Sequence, residues 1–242
     1  MSALGALAAR TGRVPLRLAL LLPFALACLL LPAARADELL ATLARSAPDL
    51  DRKVLSLALS ARECALAGGD EDASTRLAVI DYSRPSTQKR LWVFDVAKRE
   101  LLYAEHVAHG RGSGGDLATA FSNVEGSHQS SLGLFAAAET YTGENGYSLR
   151  LDGLEPGIND RARERLLVMH GADYVDPVQA RRQGRLGRSW GCPAVRRAVA
   201  EGVIDSLKDG QLVFAYADDA AWLQGSRMLH CERSERNTAS GR

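Results

Sequence analysis

The chain has 242 residues, 24% of them charged and 46% hydrophobic, and its 30 Lys and Arg against 29 Asp and Glu leave a formal net charge of +1. No stretch interleaves basic with aromatic residues, so the long-range field that draws in nucleic acid is missing and no nucleic-acid partner is expected. The length suits one domain with a full core and a small appendage, and excludes two large domains.

Residues 1–36 read as a signal peptide. Arg10, Arg13 and Arg17 supply a positive start, Leu18 to Pro32 an apolar run, and Ala34-Arg35-Ala36 a small-residue cleavage site. The run is shorter than the roughly 20 residues of a spanning helix and contains Pro23, so no stable membrane span is expected after cleavage. Cys28 follows Ala25-Leu26-Ala27, without a Leu three positions upstream, which argues against lipidation. A mature chain from Asp37, exported to the periplasm or cell envelope, follows.

Export carries Cys64, Cys192 and Cys231 into an oxidising compartment, where an odd count leaves one thiol over. A disulfide between Cys64 and Cys231 is expected, because the sequence around Cys192 suits a free thiol.

Residues 37–75 form an N-terminal helical segment: Val54, Leu57, Ala58, Ala61, Cys64 and Ala65 recur at helical spacing, with Asp49 as N-cap and Gly68 as stop. From 76 to 220 the pattern is mainly β with a few helices, an α+β domain. Strands are expected over Leu77–Tyr82, Arg90–Val96 and Glu100–Val107, the last two as a hairpin, then over Ser131–Ala137 and across Tyr141–Leu151, where Asn145-Gly146 suits a tight turn. A short helix over Asn159–Arg163, a buried strand over Arg165–Met169, a helix over Ala198–Asp209 and a strand over Gln211–Ala217 complete it. Residues 221–242 are a C-terminal segment whose polar end, from Glu232, is expected to be disordered.

The chemistry centres on His170 and, 22 positions later, Cys192 within Gly187-Arg188-Ser189-Trp190-Gly191-Cys192-Pro193-Ala194. A thiolate is the reactive form of cysteine, and a neighbouring imidazole supplies it by taking the proton. The second imidazole nitrogen then needs an acceptor, a backbone carbonyl or the Ser189 side chain. Gly191 permits close approach of a substrate to the backbone. Pro193 has no N–H, so an oxyanion must be held by the amides of Cys192, Gly191 or Trp190. Trp190 either stacks on a substrate or wedges the loop. His106 and His109 have the spacing of a metal pair but no ligand cluster nearby to complete four, so no metal and no cofactor is expected, and His109 reads as a strand-end residue near the cleft. Gly110 to Gly115 lacks the Gly-Lys-Ser/Thr ending of a phosphate cradle and reads as a loop lining the site.

His170-Gly171 with Ser189-Trp190-Gly191-Cys192 resembles the paired His-Gly and Ser-x-Gly-Cys motifs of the YkuD-like L,D-transpeptidases, closest to the murein L,D-transpeptidase catalytic domains. The likeness runs from about Leu77 to Tyr216. It takes in Val107 to Gly114, Tyr141-Thr142-Gly143, Ser148-Leu149-Arg150-Leu151 and Gly184-Arg185-Leu186-Gly187-Arg188. It implies a β-sandwich-like catalytic domain acting on peptidoglycan stem peptides. In that chemistry Cys192 is the nucleophile and His170 the base, with Gly171, Ser189 and Gly191 completing the catalytic motifs. Arg188, Trp190, Arg185, His109 and Tyr141 are the substrate-binding candidates. It also implies that a carbapenem acylates Cys192. Many members carry an Arg two positions after the Cys, where this chain has Ala194; Arg188, Arg185 or Arg196 could take over carboxylate binding.

Other readings share some of these features. Water in place of an amine acceptor makes the same thioester enzyme an L,D-carboxypeptidase or an amidase, and an inert thiol would leave a non-catalytic cell-wall binding module. A papain-like peptidase expects the Cys upstream of the His, and a sortase expects a Thr-x-Thr-Cys strand that this chain does not have. Oligomeric state is not readable.

Overall fold

The computed structural model describes residues 35–69 and 74–231. The expected signal peptide lies almost wholly outside these residues, as does the polar end from Glu232. The chain divides into two compact units, 1–38 and 39–242; of the first, only 35–38 are described, and they are helical.

The second unit opens on helix α1 (residues 39–46), followed after a short turn by α2 (Arg52–Gly68). The cap of α2 is Asp51, whose carboxylate accepts from the Lys53 amide at 2.6 Å, rather than the expected Asp49. A capping carboxylate must stand two or three residues before the amide it accepts from, and only Asp51 does. The helix stops at Gly69, whose φ of 77° gives the left-handed turn that ends it. Its apolar stripe, Val54, Leu55, Ala58, Ala61 and Ala65, is buried against the sheet. Cys64 on α2 is disulfide-bonded to Cys231, with Cα atoms 5.8 Å apart.

Nine strands make one sheet: β1 (Arg76–Asp81), β2 (Leu91–Asp95), β3 (Glu100–Glu105), β4 (Val107–Ala108), β5 (Gly133–Gly143), β6 (Gly146–Gly153), β7 (Val168–Ala172), β8 (Ala194–Arg196) and β9 (Gln211–Tyr216). Their order is β3-β2-β1-β9-β5-β6-β7-β8-β4. The two end strands, β3 and β4, are separated in the chain by His106 alone. One residue spans only about 7 Å between its neighbours' Cα atoms, so the sheet curves until its ends stand side by side. The expected hairpin of the second and third strands is present as the antiparallel β2–β3 pair. β2 and β7 are buried along their whole length, β2 as the apolar run Leu91 to Phe94 and β7 with His170 set between apolar and small residues.

Three further helices lie on this frame: α3 (Pro177–Gln183), α4 (Arg197–Leu207) and α5 (Ala220–Gly225). α4 packs on β7 through Ala200, Val203, Ile204 and Leu207. Val203, Ile204 and Leu207 each contribute about 1.5–3 kcal/mol when fully buried.

Three local expectations differ. Residues 159–166 form hydrogen-bonded turns rather than a short helix, because the Asn159 side chain is drawn inward to bond Leu132 and Leu134 carbonyls and the Glu155 amide. The strand then starts at Val168, not Arg165, since Leu166 is left-handed at φ 55°. At the β5–β6 hairpin, Gly146 is left-handed at φ 76° but Asn145 is not, so the turn is not the two-residue type that needs both.

Candidate active site

β7 and β8 build the site. They pair in parallel with His170 opposite Ala194, which sets His170 at the strand level just past Cys192. Both side chains line one cleft of about 710 Å³, with Tyr141, Arg165, Leu166, Arg188, Ser189 and Trp190 among its other walls and Glu144 and Asn145 at the β5–β6 tip.

The half-buried Cys192 sulfur accepts from the Val168 amide at 3.4 Å and faces the Leu166 carbonyl at 3.7 Å. Burial pushes the thiol pKa up; the Val168 amide and the Arg165 charge pull the other way without winning. The His170 imidazole, 4% exposed, has Nδ1 3.2 Å from the Gly171 carbonyl. A carbonyl only accepts, so Nδ1 carries the hydrogen and Nε2 is left as the basic nitrogen. Burial, first, and the Arg197 charge lower the His170 pKa, against the Gly171 bond, which raises it. A raised thiol and a lowered imidazole pKa mean that both groups rest neutral at pH 7.

Ser189 does not serve the imidazole. Its hydroxyl donates to the Cys192 carbonyl at 2.6 Å and accepts from the Gly191 amide at 3.1 Å, closing the turn that presents the thiol. Gly191 itself is at φ 130°, and a Cβ there would lie 2.9 Å from the Gln129 carbonyl oxygen.

Under this turn lies a second layer from the Gly110 loop. Arg111 donates its amide to the Ser189 carbonyl, and the Ser189 amide donates to the His109 carbonyl. The Ser130 hydroxyl accepts from the Gly110 amide at 3.0 Å and donates to the Gly191 carbonyl at 2.9 Å. The glycine-rich loop therefore supports the Cys192 turn from beneath instead of lining the cleft. A Cβ on Gly110 would come within 2.8 Å of the Gly191 Cα, so this layer needs glycine.

The other sequence candidates divide. Arg188 lines the cleft and donates through Nη1 to the Gly114 carbonyl at 2.7 Å. Tyr141 lines it with Arg150 stacked 4.4 Å from its ring centre. Trp190, 69% exposed, stacks on His128 at 5.1 Å, with the Arg111 guanidinium 5.4 Å from its ring centre. Arg185 donates to the Leu186 carbonyl and is not among the lining residues. His109 is 1% exposed and does not reach the cleft; its Nδ1 is 2.6 Å from Nη2 of the buried Arg90. Arg196 is held by both oxygens of Glu105, at 2.6 and 2.9 Å. Among the described residues no group of His, Cys, Asp and Glu could hold a metal ion, and no helix is long and apolar enough to cross a membrane.

Sequence reasoning missed Arg165. Its guanidinium bonds the Ser122 and Gln129 carbonyls and the Ser127 and Ser131 hydroxyls, pinning the 122–131 segment beside the thiol. Nothing in the local sequence marks it, because every partner is more than 30 positions away.

Cys192 and His170, the latter with Nε2 as its basic nitrogen, thus share one open cleft on a curved sheet. The chain belongs to the L,D-transpeptidase catalytic domain family, whose model matches residues 46–216. Among solved structures it is similar to an L,D-transpeptidase from Mycobacterium smegmatis, at 15% identity over 60% of this chain and 59% of that one, with a TM-score of 0.37. It is also similar to the L,D-transpeptidase (residues 123–326) from Xylanimonas cellulosilytica, at 17% identity over 64% and 68%, with a TM-score of 0.34. L,D-transpeptidase 1 from Mycobacterium tuberculosis matches at 12% identity over 59% and 61%, with a TM-score of 0.33. The chain thus spans about three fifths of the length of the mycobacterial proteins. No curated protein matches it.

Proposed function

We propose that this protein is an exported, peptidoglycan-modifying cysteine acyltransferase, forming a thioester on Cys192 with a stem-peptide donor and passing it to an amine acceptor. The observation that carries the reading is the shared cleft of Cys192 and His170, in which the Gly171 carbonyl holds the imidazole tautomer with Nε2 free to take a proton.

Because both groups rest neutral, the sulfur loses its proton as it attacks and not beforehand. The thiol proton passes to His170 Nε2 while sulfur bonds to the carbonyl carbon of the third stem residue. The Gly191 amide is committed to Ser189 and Pro193 has none, which leaves the Cys192 and Trp190 amides as donors to the oxyanion. Collapse breaks the C–N bond, His170 returns its proton to the departing D-alanine amine, and the acyl group stays on sulfur. The acceptor amine then attacks the thioester, gives its proton to His170, and the thiolate leaves and recovers it. Reaching Nε2 requires the thiol to turn from the Leu166 carbonyl it faces at rest.

Arg188 is the proposed carboxylate anchor for the donor. Its Nη1 is used, whereas its Nε–Nη2 edge, the geometry for a bidentate carboxylate, makes no bond among the described residues. Arg196 is unsuited, being paired with Glu105.

Incubating the protein with defined tetrapeptide muropeptides and separating the products tests the reading. Cross-linked dimers are expected; trimmed monomers alone would replace transfer by hydrolysis, and no product would remove the enzymatic reading.

A further inference from the structure

Residues 162–167 end in a helix-stop motif with an unusual occupant. The Leu167 amide donates to the Ala162 carbonyl at 2.9 Å and the Leu166 amide to the Arg163 carbonyl at 3.1 Å. This is the nested pair of bonds that ends helical turns, and it requires a left-handed residue at its corner, a place glycine normally fills. Here the corner is Leu166, at φ 55°. A leucine Cβ in that region crowds the following carbonyl, and glycine would remove the strain.

The fold recovers little from this leucine. Its side chain is 67% exposed, while its neighbours Ala162 and Leu167 are buried in the core. Both Leu166 and Trp190, the two most exposed large hydrophobic side chains among the described residues, line the cleft that holds Cys192. The Leu166 carbonyl is also 3.7 Å from the Cys192 sulfur, so the residue stands beside whatever acyl group the sulfur carries. A strained backbone and an exposed apolar side chain coincide at one place, and that place borders the reacting atom.

We infer that Leu166 is a specificity-determining residue whose side chain forms the apolar wall of the donor subsite and packs against the alkyl stem of the residue that becomes bonded to sulfur. The inference rests on the acyl-transfer reading of the same site.

The test compares the full-length protein with Leu166→Gly and Leu166→Asn, two residues that tolerate the left-handed corner. For Leu166→Gly the thermal midpoint is expected to rise by about 2–4 °C, while kcat/KM for a donor tetrapeptide falls about tenfold, through KM and not kcat. Leu166→Asn should lose the same affinity. A purely structural leucine would instead lose midpoint and activity together, and a midpoint rise with unchanged KM would equally overturn the inference. Binding of the same tetrapeptide in a Cys192→Ala background, with and without Leu166→Gly, separates this inference from the proposed reaction. A tenfold weaker Kd together with no turnover by the chain that keeps Cys192 upholds Leu166 and removes the transferase reading. Equal Kd values remove Leu166 whatever the turnover, and no binding in either chain overturns both.

Discussion

His170 and Cys192 face the same cleft, yet the resting sulfur is hydrogen-bonded to the Val168 amide and not to the imidazole, whose Nδ1 meets the Gly171 carbonyl. Burial lowers the pKa of one group and raises that of the other, so the resting pair is neutral thiol with neutral imidazole. On the proposed mechanism, activity requires His170 unprotonated. The acid limb of kcat/KM is expected below the ordinary histidine value of about 6.5, with no fall at neutral pH from loss of an ion pair. A pH–rate profile checks this; a limb above 6.5 would indicate an imidazolium stabilised by thiolate.

Ser189 holds the Cys192 turn through two bonds, to the Cys192 carbonyl and from the Gly191 amide. Removing the hydroxyl frees that amide and loosens the turn. Ser189→Ala should cost about 1–2 kcal/mol of stability, on roughly 1 kcal/mol per net hydrogen bond, with a larger loss in kcat than in KM. Urea unfolding beside steady-state kinetics reads both.

His109 is buried against Arg90 beneath that turn, its Nδ1 2.6 Å from Arg90 Nη2. Burial and then the Arg90 charge lower its pKa to about 4. The unfolded chain binds this proton near pH 6.5, so the folded state loses stability as pH falls from about 6.5 towards 4 and has the full contribution above that window. The loss amounts to on the order of 3 kcal/mol. Urea midpoints taken at pH 7 and pH 4.5 should differ, and His109→Gln should flatten much of the difference. His106 and His170, also lowered by burial, add slopes of the same sign.

The Cys64–Cys231 bond joins α2 to the segment after α5 across a separation of 167 residues. Closing so long a loop in the unfolded chain is worth roughly 5 kcal/mol in the entropy model, and native disulfides commonly contribute about 2–5. Reduction, or a Cys64→Ala/Cys231→Ala pair, should lower the urea midpoint accordingly. An unchanged midpoint would show that the tie does not constrain the unfolded chain.

Much of the sheet is legible because its strands are apolar runs bounded by turn residues, and β1, β2, β9 and α4 fall within two residues of their expected ends. The helix α3 is absent from the sequence reading although its signals are present: Asp176 caps it, Pro177 opens it and Gly184 closes it in a left-handed turn. Its single buried residue, Ala180, leaves no apolar stripe to reveal it. The turn at 159–166 was unreadable for the opposite reason. Asn159 looks like a helix opener, and the stop at Leu166 carries no glycine to mark it.

At the candidate site, local motifs pointed to His170 and Cys192, which the fold brings to one cleft, since spacing along β7 and the Cys192 turn is short-range information. The choice of Gly171 over Ser189 as partner of the imidazole was left open by sequence, and the geometry of the turn, which commits the Ser189 hydroxyl elsewhere, makes it. The burial of His109 depends on Arg90, 19 positions away, and the staple made by Arg165 on partners further still. Contacts of that range are set by the folded sheet.

Intact mass spectrometry after incubation with a carbapenem addresses the nucleophile and its base together. The wild-type chain is expected to gain one adduct, mapped to Cys192 and lost in Cys192→Ala, with His170→Ala acylating about 10²–10⁴-fold more slowly. A wild-type protein of unchanged mass, an adduct on another residue, or a His170→Ala variant that reacts at the wild-type rate would contradict the pairing of His170 with Cys192.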